Sequence, residues 1–244
     1  MSQPDNFVGI FGHVNLDYIM EVEKLPQPNT SCQVENVKRF FGGTGANVAL
    51  MSASMGVKAA LASFVGPDFP EDFKQLLVET GVDICDLAPM TGYMTPTCRI
   101  MTDPQNNQIG IMDQGPMGHM DDFPLAEHSI IHSQIVHIGT GRPSYYRRIM
   151  EFAVEKDKPI YFDPAQEIHY LYNPESFREL LDMSHAFFCN ESELATAMKY
   201  MGYEDRKQLL EHVELLIITL GKDGSQILTV NNEINIPAVP PEQV

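Results

Sequence analysis

The sequence predicts a mostly parallel α/β fold, a central sheet flanked by helices, with a small β-sheet lid beside it. Three observations predict it. Six short runs rich in β-branched or aromatic residues alternate with helical patterns along most of the chain. Strands separated by helices build parallel sheets covered on both faces. Two segments, Leu16–Phe41 and Thr95–Gly115, break the alternation and read as strand pairs. A glycine-crowded turn, "GGTGAN" from Gly42 to Asn47, runs straight into an apolar helical stretch.

The strands expected are Phe7–Val14, Ala59–Gly66, Gln134–Gly141, Pro159–Ala165, His185–Asn190 and Glu214–Gly221. The helices expected between them are Thr44–Met55, Asp68–Thr80, Pro143–Lys156, Pro174–Met183, Glu191–Met201 and Tyr203–His212. Asp68 stands three residues ahead of Glu71 with Pro70 between, the spacing of a capping box. Arg142-Pro143 and Asn173-Pro174 open helices in the same style. Thr95–Gly115 reads as two strands turning at Pro104–Asn107. The division predicted is a core of residues 1–15, 42–91 and 116–244, with residues 16–41 and 92–115 as the inserted lid. Hairpins with few anchoring contacts make movable covers. Their open edges predict a homodimer built through the lid.

Asp and Glu number 33 against 16 Lys and Arg, a formal net charge of −17. That field repels nucleic acid and anionic membranes, which excludes both as partners. No apolar run reaches membrane-spanning length, and the polar start "MSQPDNFVG" is neither a signal nor a transit peptide. Cys32, Cys85, Cys98 and Cys189 lie far apart with no CxxC pair, which argues against a zinc site and against a disulfide scaffold, and predicts a reducing, cytoplasmic setting. His128 and His132 have the i, i+4 spacing of two metal ligands, but the sequence places no third ligand, so an ordinary histidine pair is expected. There is no GxSxG elbow of a serine hydrolase.

The glycine turn fails both familiar phosphate loops. Taking Gly43 and Gly45 as the first pair of a dinucleotide fingerprint puts Val48 where Gly or Ala belongs, which also argues against a dehydrogenase. The single Gly-Lys pair, Gly221-Lys222, is followed by Asp223 rather than Ser or Thr. The glycines suit either a plain left-handed turn or the close approach of a ligand. Ligands of open α/β sheets sit beyond the carboxyl ends of strands. Asn15, Asp17 and Asn47 fall there and offer a carboxylate and two amides, a set suited to several hydroxyls at once. The turn therefore fits a sugar better than a phosphate.

With "GHVNLD" (Gly12–Asp17), "GGTGAN" (Gly42–Asn47), "NESE" (Asn190–Glu193) and "TLGKDG" (Thr219–Gly224) in that order, the chain resembles the ribokinase-like (PfkB) family of sugar and nucleoside kinases. The resemblance implies a Rossmann-like three-layer core with a β lid, and ATP and Mg2+ as co-substrate and cofactor. It assigns Asn15, Asp17, Gly42, Gly43 and Asn47 to the substrate. Asn190, Thr219, Gly221 and Gly224 would line the nucleotide site, with Glu193 in the magnesium network through water. "NESE" also reads as a plain helix cap, and "TLGKDG" as a turn between two strands.

Members of the family continue past a strand like "INIPAVPPEQV" into a segment written DTTGAGD, which carries the catalytic Asp and the anion hole. This sequence ends at Val244 ahead of it and contains no GAGD. The expectation is a fragment of a longer kinase, its catalytic Asp beyond Val244 and Pro237–Val244 a strand leading on. The alternative is a sugar- or nucleoside-binding protein of the same fold without catalysis. Thr44 stands where ribokinases often carry Lys, which turns the expectation away from ribose. The Met-rich lid ("YMTPTCRIM", "IGIMDQGPM") leans towards a flat nucleobase.

Overall fold

The computed structural model of the chain describes residues 5–240. In chain order its elements are β1 (Asn6–Phe11), β2 (Asn15–Val22), β3 (Val34–Gly42), α1 (Thr44–Ser54), β4 (Ala59–Val65), α2 (Glu71–Glu79) and β5 (Leu87–Pro89). Next come β6 (Thr97–Thr102), β7 (Gln108–Asp113), the one-turn α3 (His128–Ile131), β8 (Ser133–Ile138), α4 (Pro143–Glu155) and β9 (Ile160–Phe162). The chain closes with α5 (Pro174–Asp182), β10 (Ala186–Asn190), α6 (Glu191–Met201), β11 (Leu215–Thr219), β12 (Ser225–Leu228) and β13 (Glu233–Ile236).

Nine strands form one sheet in the order β13-β12-β11-β10-β9-β8-β1-β4-β5. Every pair from β11 to β5 is parallel, and only the edge pairs β11–β12 and β12–β13 are antiparallel. Alternate residues of a strand serve opposite faces. Val8 and Ile10 of β1, with Leu61 and Val65 of β4, join Phe73 and Leu77 of α2 and Ala46 and Ala49 of α1 in one apolar layer. Phe11, Ala62 and Phe64 of the same two strands join the aromatic layer under α4 and α5, which holds Tyr145, Tyr146, Phe162, Phe177 and Phe187. The sheet is thus buried on both faces, which is why its strands read as continuous apolar runs. Phe162 is fully buried among Tyr172, Phe177 and Phe187. Truncating it to Ala would cost about 3–5 kcal/mol.

The remaining strands form a second sheet, β3-β2-β6-β7. Three contacts seat it on the core. The Phe41 ring stacks on Phe73 of α2 at 4.3 Å between centroids. Arg39 reaches Asp72 at 2.7 Å. Asp68 accepts from the Thr95 backbone N–H at 2.7 Å and its hydroxyl at 2.9 Å. This third contact corrects the expected capping box: α2 begins after Pro70 with no side-chain cap. Thr95 is fully buried and its donors have no water, so they claim the carboxylate that an exposed helix end can forgo.

Other departures are smaller. The helix expected over Tyr203–His212 is a 3-10 turn at Arg206–Glu211, capped by Asp205. The strand β5 has three residues and carried no signal of its own. Of Pro237–Val244, expected as a strand, residues 237–240 are irregular and 241–244 lie outside the described residues.

Candidate functional site

The parallel strands deliver their carboxyl ends to one edge of the sheet, and a cavity of about 200 Å3 opens there beneath the lid. Its core side carries His13, Asn15, Gly43, Thr44, Asn47 and Thr140, and its lid side Asp17, Cys98, Ile100, Met112 and Gln114. Gln166, Glu167 and Tyr170, from the turn after β9, complete it. A larger recess of about 470 Å3 lies within the lid's loop from Glu23 to Glu35. It is far from the strand ends, and every residue lining it is exposed or half-buried.

Asn15 and Asp17 occupy positions i and i+2 of β2, so the pleat puts both on one face. The Asn15 amide donates to the Asp17 carboxylate. Burial raises the Asp17 pKa, and the Asn15 bond holds it down. Asn47, exposed on the first turns of α1, stands at the rim. Gly43 has φ of 101° and a Cβ there would meet the His13 carbonyl at 2.3 Å. Gly42 does not line the cavity: a Cβ on it would sit 2.1 Å from Asp17 Oδ2, so the room it leaves holds the carboxylate.

Behind these groups runs a buried polar relay. His13 Nε2 meets Gln114 Oε1, and His13 Nδ1 lies 2.7 Å from the Thr140 hydroxyl. An amide oxygen only accepts, so Nε2 carries the hydrogen and the neutral ring takes a hydrogen bond from Thr140 at Nδ1. The Thr140 oxygen is then left to accept from Thr44. Burial lowers the His13 pKa and keeps the ring neutral. At the far end Glu167 accepts from the Gly141 N–H, with the Gln114 amide beside it. Glu167 is 1% exposed, and burial pushes its pKa to about 7 against those donors and Arg142.

The expected nucleotide residues gather further along the same edge. Asn190 and Thr219 end β10 and β11 side by side in register. Asn190 caps α6, accepting from Ser192 N and Glu193 N at 2.9 Å each, while Glu193 accepts from Asn190 N at 2.7 Å. The local sequence folds this way because Asn and Glu three residues apart satisfy each other's free donors. Gly221 has φ of 57° with open space where a Cβ would go. Gly224 is held by packing, since a Cβ there would meet the Ile236 carbonyl at 2.0 Å.

Sequence reasoning passed over His13, Thr140, Glu167 and Asp163. The Asp163 pKa is pushed up to about 6, first by burial and then by the Glu193 charge beside it. Asp163 directly follows β9 and Thr140 lies two residues past β8, both inside the longer strands expected over Gln134–Gly141 and Pro159–Ala165, so strand ends set a few residues earlier would have found them. Nothing local marks Glu167.

A parallel sheet with a small β sheet over a cavity lined by a carboxylate and several amides, and a capped acidic ledge beside it, is the arrangement of a small-molecule phosphotransferase of the ribokinase-like class. The family model of the pfkB family carbohydrate kinases matches residues 5–244, and the chain belongs to that family. It is similar to the nucleoside kinase of Methanothermobacter thermautotrophicus, 31% identical over all of this chain and 78% of the relative. The nucleoside kinase of Methanocaldococcus jannaschii, an archaeal member of the ribokinase family, superposes with a TM-score of 0.90 at 31% identity. That match covers all of this chain and 80% of the other. The nucleoside kinase of Burkholderia thailandensis in complex with inosine shares the fold, with a TM-score of 0.83 at 23% identity over 97% of this chain and 78% of its own. The protein is therefore an ATP-dependent kinase of a sugar or nucleoside, on the ribokinase-like fold expected. No helix among the described residues is long and apolar enough to cross a membrane.

Proposed function

We propose that the acceptor is a nucleoside, with its sugar on Asn15, Asp17 and Asn47 and its base between the lid and Tyr170. The observation that carries this reading is the two-sided lining of the cavity. One end offers a carboxylate and two amides, while Ile100, Met112 and Tyr170 form an apolar wall beside the Gln114 and Gln166 amides. A flat base with polar edges satisfies both, whereas a free pentose leaves the apolar wall bare. Similarity to archaeal nucleoside kinases supports it. Gly42 serves indirectly, through the room it leaves for Asp17, and Gly43 by its backbone.

ATP would lie on the neighbouring ledge, against Asn190, Thr219, Gly221 and Gly224. The carboxylates of Asp163 and Glu193 fit a hard divalent cation, since burial and the Glu193 charge penalise the ionised Asp163 and oxygen donors are what Mg2+ takes. When bound, Mg2+ neutralises phosphate charge. Glu193 would hold it through water. The chain's own part is positioning: Asp17 orients the hydroxyls and the lid excludes water. We assign the protein to the cytoplasm on its four free cysteines. We infer a homodimer through the lid, whose β3 and β7 leave Val37, Phe40, Ile109, Ile111 and Met112 exposed.

The test is calorimetry with purine nucleosides, pyrimidine nucleosides and ribose. Nucleosides should bind at least tenfold more tightly than ribose. Equal affinity for ribose overturns the assignment of the apolar wall to a base.

A further inference from the structure

The histidines His128 and His132 stand apart from the kinase site. Their i, i+4 spacing suggests joint metal ligation, but they do not share one: their rings stack at 4.2 Å, and His132 Nδ1 turns to Asp5 at 3.4 Å. His128 instead faces a loop 45 residues away in sequence. Its Nε2 lies 2.8 Å from Asp83 Oδ2, and one ligand atom each from Asp83, Cys85 and His128 lies within 4.8 Å of the others.

We propose that Asp83, Cys85 and His128 form a binding site for a zinc-like divalent transition metal, clamping the loop after α2 to helix α3. The ligand chemistry selects the metal: a thiolate with an imidazole and one carboxylate suits Zn2+ or Co2+, while Mg2+ and Ca2+ take oxygen donors. The groups are held in place by their surroundings. Asp83 accepts from the Cys85 backbone N–H and from the Asn6 amide, each at 3.0 Å. Asp86 accepts from Ser129 N at 2.6 Å, fastening the start of α3 to the same loop. Supports of this kind orient metal ligands. Three protein ligands leave a fourth position for water.

The site lies at the opposite edge of the sheet from the kinase cavity. Asp83 bridges Ala60 near the start of β4, and Asn6 begins β1, so both belong to the amino ends of the parallel strands. Its role is to tie loops together, with no part in catalysis. Binding releases the Cys85 proton as the S–metal bond forms, and metal replaces the His128 Nε2 hydrogen, whose proton moves to Nδ1. The titratable groups facing the site are Asp5, Asp83, Asp86, Cys85, His128 and His132. The Asp83 and Asp86 carboxylates hold the Cys85 thiol above its ordinary pKa, while hydrogen bonds from the Cys85 N–H, His128 and Asn6 bring Asp83 down to about 2 against its burial. The metal takes the thiolate, so protons compete at Cys85 and affinity falls as pH falls.

The experiment is calorimetry with Zn2+ on the magnesium-loaded protein, together with the absorption spectrum of the Co2+ form. One equivalent should bind, Tm should rise with zinc concentration, and the Co2+ form should show a sulfur-to-metal charge-transfer band. Cys85→Ser should abolish that band, and Cys85→Ser and His128→Ala should each weaken zinc binding by about tenfold or more. His132→Ala should change affinity little, and nucleoside binding should be unchanged throughout. Cys85 is exposed, so its serine variant keeps the fold. Absence of saturable zinc binding, or binding and spectrum unaltered in Cys85→Ser, overturns the proposal and leaves Asp83–His128 a polar clamp only.

Discussion

Gln114, one residue past the lid's last strand, accepts a hydrogen bond from His13, two residues past the first core strand. The lid's return to the core is thereby joined to Thr140 and Thr44 through one neutral imidazole. His13→Ala strands the half-buried Gln114 carbonyl and the fully buried Thr140 hydroxyl. A loss of about 1–3 kcal/mol in urea unfolding is expected, with weaker nucleoside binding because Gln114 and Thr44 line the cavity. Unchanged stability would show that the relay is not made.

Asp17→Ala should weaken substrate binding by roughly thirtyfold or more, since hydroxyls built into a polar pocket lose about 2 kcal/mol when stranded. Asp113→Ala should change it little, because that carboxylate is exposed at the lid's edge and accepts only from Gly115 N. Calorimetry on the two variants decides it, and equal losses would reject the assignment.

Gly42→Ala tests the same carboxylate without touching it. A Cβ 2.1 Å from Asp17 Oδ2 must push that group aside, whereas Gly110 has open space in its own strand. Gly42→Ala should therefore approach the Asp17→Ala defect in affinity, and Gly110→Ala should bind like the parent. A Gly42→Ala protein with normal affinity would place Asp17 outside the binding machinery.

Glu167 makes stability depend on pH. Its pKa rises from 4.5 to about 7 on folding, so between these values the folded chain keeps a proton that the unfolded chain has released. Stability from this group falls as pH rises through that window and levels off above it, by about 3 kcal/mol in all. Asp163 acts in the same direction and buried His137 in the opposite one, so the comparison must be with a variant. Glu167→Gln should gain stability relative to the parent as pH rises from about 5 to about 8. Urea midpoints that track in parallel across that range would contradict it.

Asn190→Ala separates capping from nucleotide contact. Loss of the α6 cap should cost about 1 kcal/mol of stability. If Asn190 also lines the nucleotide site, the Kd for ATP rises several-fold beyond that of Asp205→Ala, which removes only the cap of the 3-10 turn. Equal Kd values would leave Asn190 a cap alone.

The sequence by itself determined whatever is local or periodic. Apolar runs alternating with helical stripes specify a parallel sheet buried on both faces, and the two interrupting segments specify the strands of the second sheet. Asn15 and Asp17 share a face because a strand repeats every two residues. Asn190 and Glu193 cap a helix because three residues bring each to the other's free N–H. Tertiary structure decided which solitary polar groups meet. His13 finds Gln114 101 positions along the chain, Asp68 leaves its helix for Thr95, and Asp83 meets His128 across 45 residues. A single polar side chain has no period to announce its partner. Its partner is set by strand order and by which buried donors have lost their water, and both are settled only when the whole core packs.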